Sequence, residues 1–199
     1  VKVLVVYSHP NPKSFNAAIL GTVKDELGKA GAEVKVKDLY AMNWNPVLSG
    51  SDFEQFSSGK LPSDIAQEQA DVSWADLLIF ISPIWWYTVT AMLKGYVDRV
   101  MGHGFAYEYT ETGPRGKLTD KRALLITTSG ADEKTARETG MLDALNTTLV
   151  QGIFNFCGFR EAKYKNCFAV PFVSDDDRRR MLEEIREFVR NNIFARQNV

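Results

Sequence analysis

Cysteine and histidine are scarce in this 199-residue sequence, which holds two of each. Cys157 and Cys167 lack CxxC spacing, and one pair of cysteines in a chain this long is no disulfide scaffold. They read as reduced thiols. His9 and His103 stand alone, without HExxH or Cys/His pairing at ligand spacing, so no metal site is expected. Long apolar runs are missing too. None approaches the ~20 residues that span a bilayer, and no transmembrane segment is expected. Val1 leads directly into a strand pattern without a signal-peptide layout, so the expected location is cytoplasmic. Neither sign of charge is in excess: Lys plus Arg number 24 against 25 Asp plus Glu, a net −1, which gives no electrostatic reason for nucleic-acid binding. The absence of GxGxxG, GxxxxGK(S/T) and GxSxG removes a Rossmann fingerprint, a Walker loop and a nucleophile elbow.

What is present is an ordinary globular composition, 45% hydrophobic and 25% charged. At roughly 100–200 residues per domain, this predicts a single domain over residues 1–199. Val1 to Tyr7 is an almost unbroken β-branched apolar run, which suits a strand buried on both faces of a parallel sheet. From Ser14 the spacing turns helical, with Ile19, Val23 and Leu27 on one face and Gly31 as the stop. Glu33 to Leu39 alternates as a more exposed second strand. Tyr40 to Pro62 mixes turn residues with Trp44, Phe53 and Phe56, and reads as an ordered loop with one short helix. Ala75 to Ile81 and Ala123 to Thr127 are further buried strands, with a helix over Ala91 to Met101 between them. A long helical region through Phe156, a strand over Lys163 to Val170 and a helix over Asp175 to Phe194 complete the chain. Alternation of strands and helices predicts an α/β, flavodoxin-like, doubly wound sheet of five parallel strands in the order 2-1-3-4-5, with helices on both faces. Ligands of such sheets lie beyond the carboxyl ends of the strands, where the strand order switches.

Three loops leave that edge. In Ser8 to Asn16 the free N–H groups around Ser14 to Asn16 suit an anion such as phosphate, aided by the Ser14 and Asn16 side chains, the charge of Lys13 and a donor on His9. A helix cap with nothing bound accounts for the same residues. In Ser82-Pro83-Ile84-Trp85-Trp86-Tyr87 the three consecutive aromatics cannot all face inward. Burying a ring is worth a few kcal/mol at about 25 cal/mol per Å², so the cluster calls for a planar cover such as an isoalloxazine, or for a hydrophobic corner of its own. Thr127-Thr128-Ser129-Gly130 offers small hydroxyls and a glycine that permits close backbone approach. The Arg178-Arg179-Arg180 run reads as a solvated helix face.

Ser8-His9 with Ser14-Phe15-Asn16, Pro83 to Tyr87 running into Leu93 to Val100, His103 to Tyr107, Thr127 to Gly130, and Phe156-Cys157-Gly158-Phe159 follow one another in a familiar order. Together they make the chain resemble the flavin-dependent NAD(P)H:quinone oxidoreductase family, the DT-diaphorase-like flavoproteins, over nearly its whole length. The resemblance implies a homodimer with the flavin at the subunit interface, reducing quinones or similar acceptors by a ping-pong hydride mechanism at the expense of NAD(P)H. It implies FAD as cofactor, with FMN as the alternative. It also implies that His9, Ser14, Phe15 and Asn16 hold the flavin phosphate and ribityl region. Pro83, Ile84, Trp85, Trp86 and Tyr87 would then meet the isoalloxazine, with Trp86 and Tyr87 as its wall, and Thr127, Thr128, Ser129 and Gly130 its polar edge.

The sequence departs from the family after the third loop. The Tyr and His associated with proton handling in DT-diaphorase fall on Thr135 and Met141 here, so no catalytic acid is nominated. The loop between Met42 and Pro62 is also shorter than in mammalian members, which bears on how an adenine would be held. Two other roles fit the same flavin-binding frame: an ancillary subunit of a potassium-efflux system, and a flavodoxin-type one-electron carrier. A net charge of −1 disfavours the carrier, whose partners are commonly met by a strongly acidic surface.

Overall fold

Successive residues of the first strand point to opposite sides of one sheet, and each side finds its own core. Val3 and Val5 pack with Ile19, Val23, Leu27, Ile185 and Val189, whereas Leu4 and Val6 pack with Ile65, Val72, Leu93, Tyr96 and Leu145. Each of these aliphatic side chains, when fully buried, contributes about 1.5–3 kcal/mol relative to exposure. The computed structural model describes residues 1–194. Its elements are β1 (Lys2–Tyr7), α1 (Phe15–Lys29), β2 (Glu33–Asp38), α2 (Gly50–Ser57), α3 (Ser63–Trp74), β3 (Leu77–Trp85), β4 (Thr88–Val89) and α4 (Ala91–Val100). There follow β5 (Tyr107–Thr110), β6 (Gly113–Gly116), β7 (Arg122–Thr128), α5 (Glu133–Glu138), α6 (Met141–Leu145), a π-helical stretch over Asn146–Asn155, β8 (Glu161–Cys167) and α7 (Asp175–Arg190).

The sheet runs β2-β1-β3-β7-β8, and all four pairings are parallel. Taken alone, these five strands follow the expected 2-1-3-4-5 order. The sixth strand, β4, folds back antiparallel on the end of β3, and β5 with β6 forms a separate hairpin. Helices α1 and α7 cover one face, while α3, α4, α6 and the π-helical stretch cover the other.

Several boundaries differ from the sequence expectation. Ser82, Pro83 and Ile84 belong to β3 and not to the loop after it, because Ser82 and Pro83 stay in register with Thr127 and Thr128 while Ile84 pairs with Val89. The long helical region is broken at Gly140, whose φ of 73° is left-handed. The last strand ends at Cys167, before Ala169 turns to a φ of 51°. The closing helix ends at Arg190, and Thr88 and Val89 form β4. Helix α3 and the β5–β6 hairpin were not expected.

Ion pairs lock the helices onto the sheet. Glu26 of α1 is buried and bonds to Lys29, Arg186 and Arg190, which hold its carboxyl down at about 2, so α1 is clamped to α7. Arg99 of α4 binds Asp52 at 3.0 Å and Asp64 at 2.5 Å, gathering α2 and α3 around it. Beside it Gly95 lies so close to Pro46 that an added Cβ would come within 2.1 Å of a backbone oxygen. Cys157 and Cys167 are free and buried, and burial pushes their thiols up to about 11 and about 12.

Candidate functional site

The carboxyl ends of β1, β3 and β7 open onto a pocket of about 230 Å³. From the first loop it is lined by His9, Ser14, Phe15 and Asn16, from the end of β3 by Pro83, Ile84 and Trp85, and from the third loop by Thr128, Ser129 and Gly130. Residues up to 162 positions apart in sequence, His9 and Pro171, thus meet around one cavity, as a switch in strand order demands. Thr127, Trp86 and Tyr87 are the nominated residues outside this lining. Thr127 is fully buried behind it, and Trp86 and Tyr87 stand exposed on the β3–β4 turn.

The first loop is held in place by its own side chains. Ser14 caps α1, accepting from the Ala17 N–H at 3.2 Å. Asn11 accepts from the Lys13 N–H at 2.9 Å, and its own N–H donates to His9 Nδ1 at 3.0 Å. Because Nδ1 accepts, the proton of the neutral imidazole resides on Nε2, which leaves a donor. Burial lowers the His9 pKa and favours this neutral form. The N–H groups of Phe15 and Asn16, first in the helix, donate to no acceptor among the described residues. Lys13 is exposed beside them.

A cluster of hydroxyls ties the first two strand ends together. Ser8 Oγ lies 2.5 Å from Thr90 Oγ1, the Thr90 N–H donates to Ser82 Oγ, and Thr90 in turn caps α4. Beyond this cluster the chain turns at Trp86 and Tyr87, whose φ values of 52° and 61° are both left-handed. Such two-residue hairpin turns ordinarily take Asn and Gly. Trp86 is 96% exposed, while its neighbour Trp85 meets the His9 ring edge-on at 6.0 Å.

The third loop is pinned by the segment after β8. Ser129 N–H donates to the Cys167 carbonyl, Val170 N–H to the Ser129 carbonyl, and Ala169 N–H to the Ala131 carbonyl. Val170 and Pro171 consequently line the pocket, and the sequence reading missed them by running the last strand through Val170. A proline just after the fifth strand of the same sheet was the available signal. Thr135 is exposed in the first turn of α5, where it donates to the capping Asp132, and Met141 is buried in the core, so neither reaches the pocket.

The chemistry of the lining matches a flavin. Asn16 donates its Nδ2 to Thr128 Oγ1 at 2.8 Å, yet its buried Oδ1 has no partner among the described residues, an acceptor suited to a hydroxyl or ring N–H. Free helical N–H groups suit a phosphate, and the Trp85 ring and the Ile84 side chain offer apolar surface to a flat ring.

A family model described as flavodoxin-like fold matches residues 1–189. The chain belongs to that family. Among its flavodoxin-like relatives is a Haemophilus influenzae protein named uncharacterized NAD(P)H oxidoreductase, 36% identical over 182 residues that cover 90% of each chain. Human ribosyldihydronicotinamide dehydrogenase (quinone) is 36% identical over 201 residues, covering 91% of this chain and 87% of the relative. The solved NAD(P)H:quinone oxidoreductase of Methanothermobacter marburgensis superposes with a TM-score of 0.88 at 28% identity and covers 98% of both chains. The resemblance to quinone oxidoreductases seen in the ordered motifs is therefore real, and it extends along nearly the whole flavodoxin-like chain.

Proposed function

We propose that this protein is an NAD(P)H-dependent reductase that passes two electrons to quinones or similar acceptors through a bound flavin, as one flavin-binding domain working in a cytoplasmic homodimer. The observation that carries the proposal is the pocket itself, where an anion-binding helix start, an orphaned Asn16 acceptor and an aromatic strand end converge at the switch in strand order. The quinone oxidoreductase names of relatives aligned over most of the chain support the same reading.

A flavin bound here supplies hydride chemistry that no side chain can perform. The chain's own work is to hold and shield. The Phe15 and Asn16 N–H groups and His9 Nε2 bind the phosphate, Asn16 Oδ1 accepts from the ribityl chain or ring, and the loop after β7 meets the polar ring edge. Trp85, with Trp86 and Tyr87 from the adjoining turn, would shield a bound flavin from water and help position the nicotinamide and the acceptor in turn. In balance, NAD(P)H gives up a hydride to become NAD(P)⁺, and a quinone gains that hydride and a solvent proton to become the hydroquinone. With Thr135 and Met141 outside the pocket, no side chain is assigned as the acid.

A volume near 230 Å³ is below the about 300–1,000 Å³ usual for a ligand that one chain encloses. A second copy therefore completes the cover, and it also buries the exposed Trp86 and the groove between α4 and the π-helical stretch, where Val97, Ile153 and Phe156 lie. FAD is the first assignment and FMN the second.

The test is to purify the protein, identify by mass any flavin released on denaturation, and follow menadione reduction with NADH and NADPH. A yellow dimer with turnover is expected. Colourless protein that takes up neither FAD nor FMN overturns the flavin assignment, and a loaded protein without turnover overturns the enzymatic one.

A further inference from the structure

Behind the pocket a chain of hydrogen bonds crosses from β8 to the third loop and uses up the Ser129 proton. Thr127 Oγ1 lies 2.7 Å from Asn166 Oδ1 and 2.9 Å from the Tyr164 hydroxyl. A threonine has one hydroxyl proton and an amide oxygen only accepts, so that proton goes to Asn166 and the Tyr164 hydroxyl supplies the other bond. Asn166 Nδ2 donates to Ser129 Oγ at 2.9 Å, and Ser129 Oγ donates its own proton to the Ala131 carbonyl at 3.0 Å. With the Asn166 amide turned over, the Ser129 proton would go to Asn166 Oδ1 while Ala131 keeps its bond from the Ala169 N–H, so in either orientation that proton is used inside the protein. Thr127, Ser129 and Asn166 are all buried, where leaving one unpaired is costly.

With its proton committed and one lone pair taken, Ser129 can offer the pocket only its second lone pair. The N–H of Gly130, next in the chain, donates to nothing among the described residues. The loop thus carries an acceptor beside a donor. We propose that Asn166 is a positioning residue that fixes Ser129 as an acceptor, so that the loop after β7 selects a ring edge carrying N–H next to C=O, an imide. The inference rests on the flavin reading above, since the isoalloxazine has such an edge, and it adds a residue on β8 that does not line the pocket.

The experiment compares FMN with its N3-methyl derivative, titrated by fluorescence into flavin-free protein, for the wild type and for Asn166→Leu and Ser129→Ala. The wild type is expected to prefer FMN by about tenfold, the loss of one hydrogen bond to a buried partner. Both variants should bring the two ligands to within about twofold. If Asn166→Leu does not fold, Asn166→Ala, which leaves room for water, carries the same expectation. A purely structural Asn166 would weaken both ligands equally and leave the ratio at its wild-type value, and that result overturns the proposal. So does a wild type that binds both flavins alike, or a Ser129→Ala variant that keeps the preference. A wild type that binds neither of these nor FAD instead fails the flavin reading, and the role of Asn166 falls with it.

Discussion

Two stretches of one pocket rim are built on opposite principles. The loop after β1 is stapled by its own side chains, with Ser14 capping α1 and Asn11 bridging His9 and Lys13. The turn after β3 has no comparable support, holds two bulky residues at left-handed φ, and leaves Trp86 almost wholly in water. One side is organised before any ligand arrives, and the other stores strain and exposed ring surface that only a ligand or partner can relieve. For the flavin site proposed above, the difference assigns two sources of binding energy: orientation at little further cost from the first loop, and area from the turn.

Substitutions can break this contrast. Trp86→Ala is expected to lower flavin affinity by about 1–3 kcal/mol, from lost ring contact, while the melting temperature of the flavin-free monomer stays unchanged because the ring is exposed in the single chain. Flavin titration and a thermal melt of the same sample check both halves, and unchanged affinity contradicts the wall role. Ser14→Ala should behave in the opposite way, costing about 1 kcal/mol of fold stability through loss of the helix cap in a denaturant titration without ligand. Tyr87→Gly is expected to raise flavin-free stability by about 0.4–1 kcal/mol, since glycine takes a φ of 61° without strain, while weakening flavin binding. A lower melting temperature for that variant would show that the turn is not strained.

The last expected effect lies at the far end of α1, where that helix is tied to α7. Glu26 is held at about 2 against an ordinary 4.5, by hydrogen bonds from Lys29 first and Arg186 next. Its folded-state value is depressed, so its contribution is complete above about pH 4.5 and fades as the pH falls toward 2. Melts across that window should show Glu26→Gln losing less stability with acid than the wild type.

The legible parts of the fold were those governed by apolar patterning. β1, β3 and β7 announced themselves as unbroken apolar runs because both of their faces are buried, and α1 did so through Ile19, Val23 and Leu27. Helix α3 did not. Its inward face carries Ile65 and Val72 but between them Glu68 and Asp71, paired with Lys37 and Lys35 of β2, and Gln69, which donates to the Val100 carbonyl, so the hydrophobic period is interrupted by polar pairs. Pro83 misled in the other direction: it punctuates the sequence, yet the strand runs through it to Trp85. Most nominated pocket residues were found because a parallel sheet gathers its post-strand loops at one edge. Val170 and Pro171 were not, since the left-handed Ala169 that ends the approach to them has no mark in sequence.

The two buried cysteines bear on durability. Quinones are electrophiles that arylate thiolates, and a chain handling them would inactivate itself if it kept a reactive sulfur within reach. Here both sulfurs are shielded by packing, and with thiols pushed up to about 11 and about 12 they stay protonated at neutral pH. Burial and raised pKa values both weigh against arylation of these sulfurs by the class of compound proposed as the electron acceptor.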